Sequence, residues 1–388
     1  MRSNRARLAI AMAGVLVGLA GALLGVFWSR LWPQQAAGPT LPPGVSIQKV
    51  SDARLHSELQ AAIASAPAKA MNRPGLAAAT GGVRVRILSS DPQELLFPLP
   101  QLVDAQVPIC HFVAITPAEA VADCRLRTWD GGAAVMTVHL GGKGREVRIA
   151  WSSVVLLAPG KVGLSQAAAE SYRQATPCVQ ADADEIAGLA ASLWPATGRS
   201  AEFAANIQRH IRQSTRREQP KSLDARGILK SGENGICTGN ANLAAALMRA
   251  KGLACRTIAA IPTNAQRMEM HRIVEFYDND QWSSFDPSSV YADVPLKPWQ
   301  YIIMAKTTIQ DEQLAMRPRM GAMIGAPYGH EAELLTPGLT LSGEDFFWTQ
   351  AKLLAEFDAT EQSVRLAADA WTRHMQTGQI TAEQLKAA

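Results

Sequence analysis

No stripe of lysine and arginine interleaved with aromatics runs along this sequence, and its basic excess is small, with 38 Lys and Arg against 34 Asp and Glu. Nucleic-acid binding draws on a concentrated positive field, so no nucleic-acid partner is expected. Metal-ligand spacing is missing too. His56, His111, His139, His210, His330 and His374 form no pair at helical or finger spacing, and Cys110 beside His111 has no nearby partners for a zinc site. No metal and no cofactor is expected. Neither an internal repeat nor a low-complexity tract interrupts the 388 residues, a length that suits two modest domains.

Charge is absent from one long stretch, and there the absence is informative. Arg2, Arg5 and Arg7 precede an uncharged run from Leu8 to Ser29, closed by Arg30. About 20 apolar residues in a helix span a bilayer core. Arginines ahead of the run place residues 1–7 in the cytoplasm, and Trp28 and Trp32 sit at interfacial positions. The expectation is a single-pass anchor at 8–30 in an inner or plasma membrane, with the bulk of the chain extracytoplasmic, in a periplasm-like compartment. A cleaved signal peptide competes, since Ala36 and Ala37 would permit cleavage, but its apolar region is ordinarily shorter. Gly14, Gly18, Gly21 and Gly25 have the small-x-x-x-small spacing of packed membrane helices, a weak pointer to a homodimer.

Residues 31–43 are rich in Pro, Gly and Ala and read as a linker, followed by a short helix over 51–63. A β-rich domain is expected over 44–160. Val83, Val85 and Ile87 alternate with polar residues, and the runs Ala133–Leu140 and Arg145–Trp151 flank Gly141-Gly142-Lys143-Gly144, which has hairpin chemistry. Helical periodicity takes over from about Asp182, with Phe203, Ile207 and Ile211 on one face of a second helix, and defines a domain over 178–310. Residues 311–388 read as a helical extension, with amphipathic helices at 344–357 and 360–375.

Chemistry concentrates between Gly235 and Ser288. Cys237 opens a helix of small apolar residues that stops at Gly252. A helix N-terminus stabilises a thiolate, the nucleophilic form of cysteine, and makes the Cys237 backbone N–H a candidate oxyanion donor. Two strand-like runs follow, from His271 to Tyr277 and from Gln281 to Pro287, around the turn Asp278-Asn279-Asp280. A four-residue loop would pair Phe276 with Gln281 and set His271 opposite Asp286, close enough for the carboxylate to accept a ring N–H. The helix start would then pack over that face.

These residues resemble the transglutaminase-like superfamily. The resemblance is carried by Gly235-Ile236-Cys237, by Gly252-Leu253-Ala254-Cys255-Arg256, by His271 with Glu275, and by Trp282-Ser283-Ser284-Phe285-Asp286-Pro287, and covers roughly residues 180–290. It implies an α+β, papain-like core in which a helix bearing the nucleophile packs on an antiparallel sheet. Cys237 would be the nucleophile, His271 the base and Asp286 the orienting acid. The sequence departs from the family pattern at Thr238, often Arg or another polar residue there, and at Ala254, often proline; both bear on substrate preference. Glu275 reads equally as a hairpin-pairing residue, and Arg256 as half of a structural ion pair.

The implied chemistry is attack on a peptide or carboxamide carbonyl to give a thioester. Hydrolysis by water, as a protease or amidase, is favoured over amine transfer, and a protein or peptide substrate is the expected partner. The rival class is a binding or scaffolding protein that keeps the fold without turnover. Of five cysteines, four remain after the nucleophile. An oxidising compartment would permit a Cys110–Cys124 bridge and a Cys178–Cys255 bridge, with Cys255 alternatively plain buried core.

Overall fold

The structure, a computed structural model, describes residues 75–103, 106–129, 133–157, 167–214, 222–231, 236–263, 271–289, 294–297, 300–313, 322–323, 338–341 and 350–356. The expected anchor at 8–30, the linker, the helix at 51–63 and the helix at 360–375 lie outside these residues. Among the described residues no helix is long and apolar enough to cross a membrane.

The β-rich part begins with β1 (Gly75–Ile87), β2 (Gln93–Pro98), β3 (Gln106–Thr116), β4 (Val121–Trp129), β5 (Ala133–Leu140) and β6 (Glu146–Leu157). Alternation governs β1: Val83, Val85 and Ile87 are buried while Arg86 is exposed. They share a core with Leu95 of β2, Met136, Val138 and Leu140 of β5, and Val147 and Ile149 of β6. Two sheets thus face each other across apolar side chains, ordered β12-β1-β6-β3 and β11-β2-β5-β4, with β13 also on β1. The later strands are β11 (Ala322–Met323), β12 (Leu339–Leu341) and β13 (Gln350–Glu356).

Two expectations are corrected here. The runs at 133–140 and 145–151 do not pair as a hairpin: β5 pairs with β2 and β4, and β6 with β1 and β3. The glycine-rich turn instead carries the chain from one sheet to the other, because both strands bury one face in the core between the sheets. Over 350–356, the described residues of the helix expected at 344–357, the chain is not helical. Gln350–Glu356 is a strand that pairs with Gly75–Thr80 of β1, and Leu339–Leu341 pairs with Val85–Ile87. A short apolar run fits either period, and here the long free edge of β1 supplied the partner. The described strands of the C-terminal part, β11, β12 and β13, add to the N-terminal sheets.

The second region holds helices α1 (Ala167–Ser171), α2 (Asp184–Leu193), α3 (Ser200–Ser214), α4 (Ala225–Ser231), α5 (Ile236–Ala250) and α6 (Ile309–Gln313). Its antiparallel sheet has the order β10-β7-β8-β9, from β7 (Cys255–Pro262), β8 (His271–Asp278), β9 (Gln281–Phe285) and β10 (Tyr301–Lys306). Helix α5 is apolar almost all round, as a central helix must be. Leu243, Ala244, Leu247 and Met248 pack with Phe203, Ile207 and Ile211 of α3 and with Val274, Phe276 and Phe285 of the sheet. Its C-terminus is closed by a Schellman motif: Leu253 N–H donates to the Met248 carbonyl at 3.2 Å and Gly252 N–H to that of Arg249 at 2.8 Å. Gly252 sits at φ +76°, which a residue without Cβ adopts without strain.

The β8–β9 hairpin is tighter than the spacing suggested. Asp278 pairs with Gln281 and Val274 with Phe285, so the loop is only Asn279-Asp280, both at positive φ. This two-residue turn suits the twist of the strands. It slides the register by two positions, and a slide of two keeps every side chain on its face. Asp286, just past β9, therefore lies diagonal to His271 rather than opposite it.

Candidate active site

Cys237 stands in the first turn of α5, half-buried. The residue before it, Ile236, has φ +48°. A β-branched side chain in left-handed conformation is strained by roughly 1–2 kcal/mol. The body of α5 packs on the sheet face of Val274, Phe276 and Phe285, opposite in strand alternation to His271. His271 is the first residue of β8, so the helix start meets it at the end of the sheet and not over a shared face.

The structure brings Cys237, His271 and Asp286 into one chain of hydrogen bonds. His271 Nε2 lies 2.8 Å from Asp286 Oδ2, and the His271 ring is also hydrogen-bonded to the Cys237 side chain. Burial works against charge on the imidazole, yet the bonds and charges of Asp286 and Cys237 overcome it and hold its pKa up to about 10. Across neutral pH His271 is thus an imidazolium between two acceptors. Its side chain keeps 25% exposure and that of Asp286 only 4%, so the sulfur end of the array is the accessible end.

Asp286 is fixed from several sides. Ser288 N–H donates to Oδ1 at 2.9 Å, an Asx turn past Pro287. Gln208 of α3 donates through Nε2 to the Asp286 carbonyl at 2.9 Å. Tyr301, at the start of β10, donates its hydroxyl to Oδ2 at 3.0 Å. The Tyr301 ring also stacks on His271, with centroids 6.4 Å apart and planes 22° from parallel. Gln208 and Tyr301 were missed by sequence reasoning. Neither lies in the motif segment, and only the continuous apolar run Tyr301–Ala305 could have flagged β10 as another strand of this sheet.

Three further motif residues, Arg256, Glu275 and Trp282, contact one another. Arg256 and Glu275 are a direct cross-strand pair, bonded at 2.7 Å and nearly buried, and Arg256 lies 3.9 Å above the Trp282 ring. Neither expected disulfide is formed. Cys110 is on β3 and Cys124 on β4, strands that belong to different sheets, and the Cys124 thiol is free. Cys178 and Cys255 are both free within one apolar core. Burial pushes the Cys178 thiol up to about 11 and that of Cys255 higher than its ordinary range. Both stay protonated, packing as small apolar groups. Among the described residues no set of three His, Cys, Asp or Glu side chains is arranged to hold a metal ion.

The site thus joins a helix-borne cysteine, a strand-borne histidine and an aspartate at the next strand's end on an antiparallel sheet. Residues 187–287 match the family model of the transglutaminase-like superfamily, so this part of the chain is similar to transglutaminase-like domains. Among solved structures, a candidate cysteine protease from Cytophaga hutchinsonii is similar in fold, with a TM-score of 0.51 at 14% identity, over 75% of this chain and 93% of that one. A candidate protease from Parabacteroides distasonis aligns at 15% identity and a TM-score of 0.26, over 60% of this chain and 48% of its own. A TGase aligns at 8% and 0.22, over 53% of each chain. The last two scores are too low to carry an argument. No curated protein matches the chain.

Proposed function

We propose that this protein is a cysteine-dependent hydrolase that cleaves peptide or carboxamide bonds through a thioester on Cys237. The observation that carries the reading is the hydrogen-bonded series Cys237–His271–Asp286, with the histidine proton held to about 10. An imidazolium beside a sulfur at a helix N-terminus favours the thiolate. The thiolate attacks the carbonyl carbon, a C–S bond forms, and the oxygen takes up negative charge near the Cys237 backbone N–H. As the C–N bond breaks, the His271 imidazolium gives its proton to the departing amine. Neutral His271 then takes a proton from water, whose oxygen attacks the thioester and returns the thiolate. Asp286 holds the ring in orientation throughout.

Hydrolysis is favoured over cross-linking because water is the acceptor that needs no second binding site. The description of the Cytophaga hutchinsonii protein as a candidate cysteine protease points the same way. Action outside the cytoplasm, from a membrane anchor at 8–30, is part of the proposal and rests on the apolar run alone. The test incubates full-length protein with casein and a fluorescent primary amine. Peptide release that disappears in Cys237→Ala supports the hydrolase. Amine incorporation without release would make the protein a transferase, and neither reaction would favour the scaffold reading.

A further inference from the structure

We propose that Tyr301 is a positioning residue of this site: its hydroxyl fixes the Asp286 carboxylate, its ring fixes the His271 imidazole, and the β-rich region holds in place the strand that carries it. The inference rests on the reading of Cys237, His271 and Asp286 as the reacting set. One side chain touches both members of the supporting pair, the carboxylate through a 3.0 Å hydrogen bond and the imidazole through a stacked ring. Asp286 Oδ2 is thereby shared between His271 Nε2 and the Tyr301 hydroxyl, while Ser288 N–H occupies Oδ1. A carboxylate so pinned cannot rotate away when the histidine gives up its proton. Burial, then the Asp286 charge, raises the phenol above its ordinary range, so it remains a neutral donor.

The placement of Tyr301 is itself over-determined. On the edge of β10 away from β7, Gln101 N–H donates to the Ile303 carbonyl at 2.8 Å. Ile303 N–H donates to Gln106 Oε1 at 2.7 Å, and Gln106 Nε2 donates back to the Ile303 carbonyl at 2.9 Å. Gln101 Nε2 adds a bond to the Met304 carbonyl at 2.9 Å. Both glutamines are buried, at 1% and 2% exposure, in a setting where an amide held by several partners is costly to move. Ile303 pairs with Ala260, and Ala260 with His271. The clamp, Gln101 from the β2–β3 connection and Gln106 from the start of β3, therefore lies in the same row of the sheet as His271. This gives the β-rich region, which contributes none of Cys237, His271 or Asp286, a share in the geometry of the site.

The test measures the rate at which iodoacetamide labels Cys237 in the full-length protein between pH 5 and pH 9, located by mass spectrometry. In Tyr301→Phe the ring remains and the hydroxyl is lost. Loss of a hydrogen bond to a charged group is expected to slow labelling about tenfold at pH 5–6, where the thiolate depends on an oriented imidazolium. At pH 9 the two proteins converge, and their melting temperatures agree within a few degrees. Tyr301→Leu, lacking ring and hydroxyl, falls further on the acid side. Equal acid-side rates in wild type and Tyr301→Phe overturn the inference, as does a slowing that is the same at every pH. A wild-type rate no faster than that of a free thiol would overturn the underlying reading of the site instead.

Discussion

The two ends of helix α5 solve the same geometric problem in opposite ways. At the C-terminal end the left-handed position is Gly252, at φ +76°, and the carbonyls are closed by the Schellman bonds. At the N-terminal end the left-handed position is Ile236, at φ +48°, immediately before Cys237. Each end also has a charged pair. Arg249 and Glu312 meet in a bidentate pair at 2.8 and 2.9 Å, both fully buried, with Arg249 further bonded to the carbonyls of Cys255 and Gln174. His271 and Asp286 meet with the histidine still partly exposed and hydrogen-bonded to the Cys237 side chain as well. One end is satisfied and sealed; the other holds strain and an accessible proton, the pattern of a site that must change state.

Breaking the two ends should therefore give different losses. Cys237→Ala should abolish peptide release by roughly four or more orders of magnitude, as removal of a nucleophile does, while leaving the denaturant midpoint almost unmoved. Glu312→Ala should do the reverse. It leaves a buried guanidinium without its counter-charge, which costs about 3–5 kcal/mol in a urea titration, and iodoacetamide labelling of the molecules still folded should keep its wild-type rate.

The pH dependence of stability sharpens the contrast. His271 has a folded pKa raised to about 10 from an ordinary 6.5. Its contribution is fully present below about 6.5 and is lost as pH rises toward 10, because there the folded state gives up a proton it had bound more tightly than the unfolded chain. Urea midpoints from pH 6 to 10 should fall, and His271→Gln should flatten that part of the curve. The smallest effects belong to the two left-handed residues. Gly252→Ala should cost about 1 kcal/mol, whereas Ile236→Gly should be neutral or stabilising by up to about 1 kcal/mol, because relief of strain offsets added chain entropy. Calorimetry on the pair checks the sign.

Legibility from sequence followed the range of the interactions. Helix α5 was readable because its small apolar filling and Gly252 are local signals, and the His271–Asp286 neighbourhood because a hairpin forces it. The loop length was misjudged by two residues, yet the faces survived, since a strand repeats every two. Long-range pairings were not legible. Gln350–Glu356 has a periodicity that fits a helix, and only the unpaired edge of β1, some 270 residues earlier, makes it a strand. The glycine turn at 141–144 has hairpin chemistry, but whether strands pair or part is decided by the core between two sheets. Tyr301 and Gln208 reach Asp286 from other elements, and no local spacing encodes such an approach.

The central claim is that Cys237 is a thiolate made reactive by a correctly held imidazolium. It is tested most directly by labelling the full-length wild type and His271→Ala with iodoacetamide at pH 7 and following the Cys237 peptide. The account predicts fast wild-type labelling and a loss of about a hundredfold in the variant, the scale of a general-base partner. Slow labelling of wild type, indifferent to the loss of His271, would contradict it.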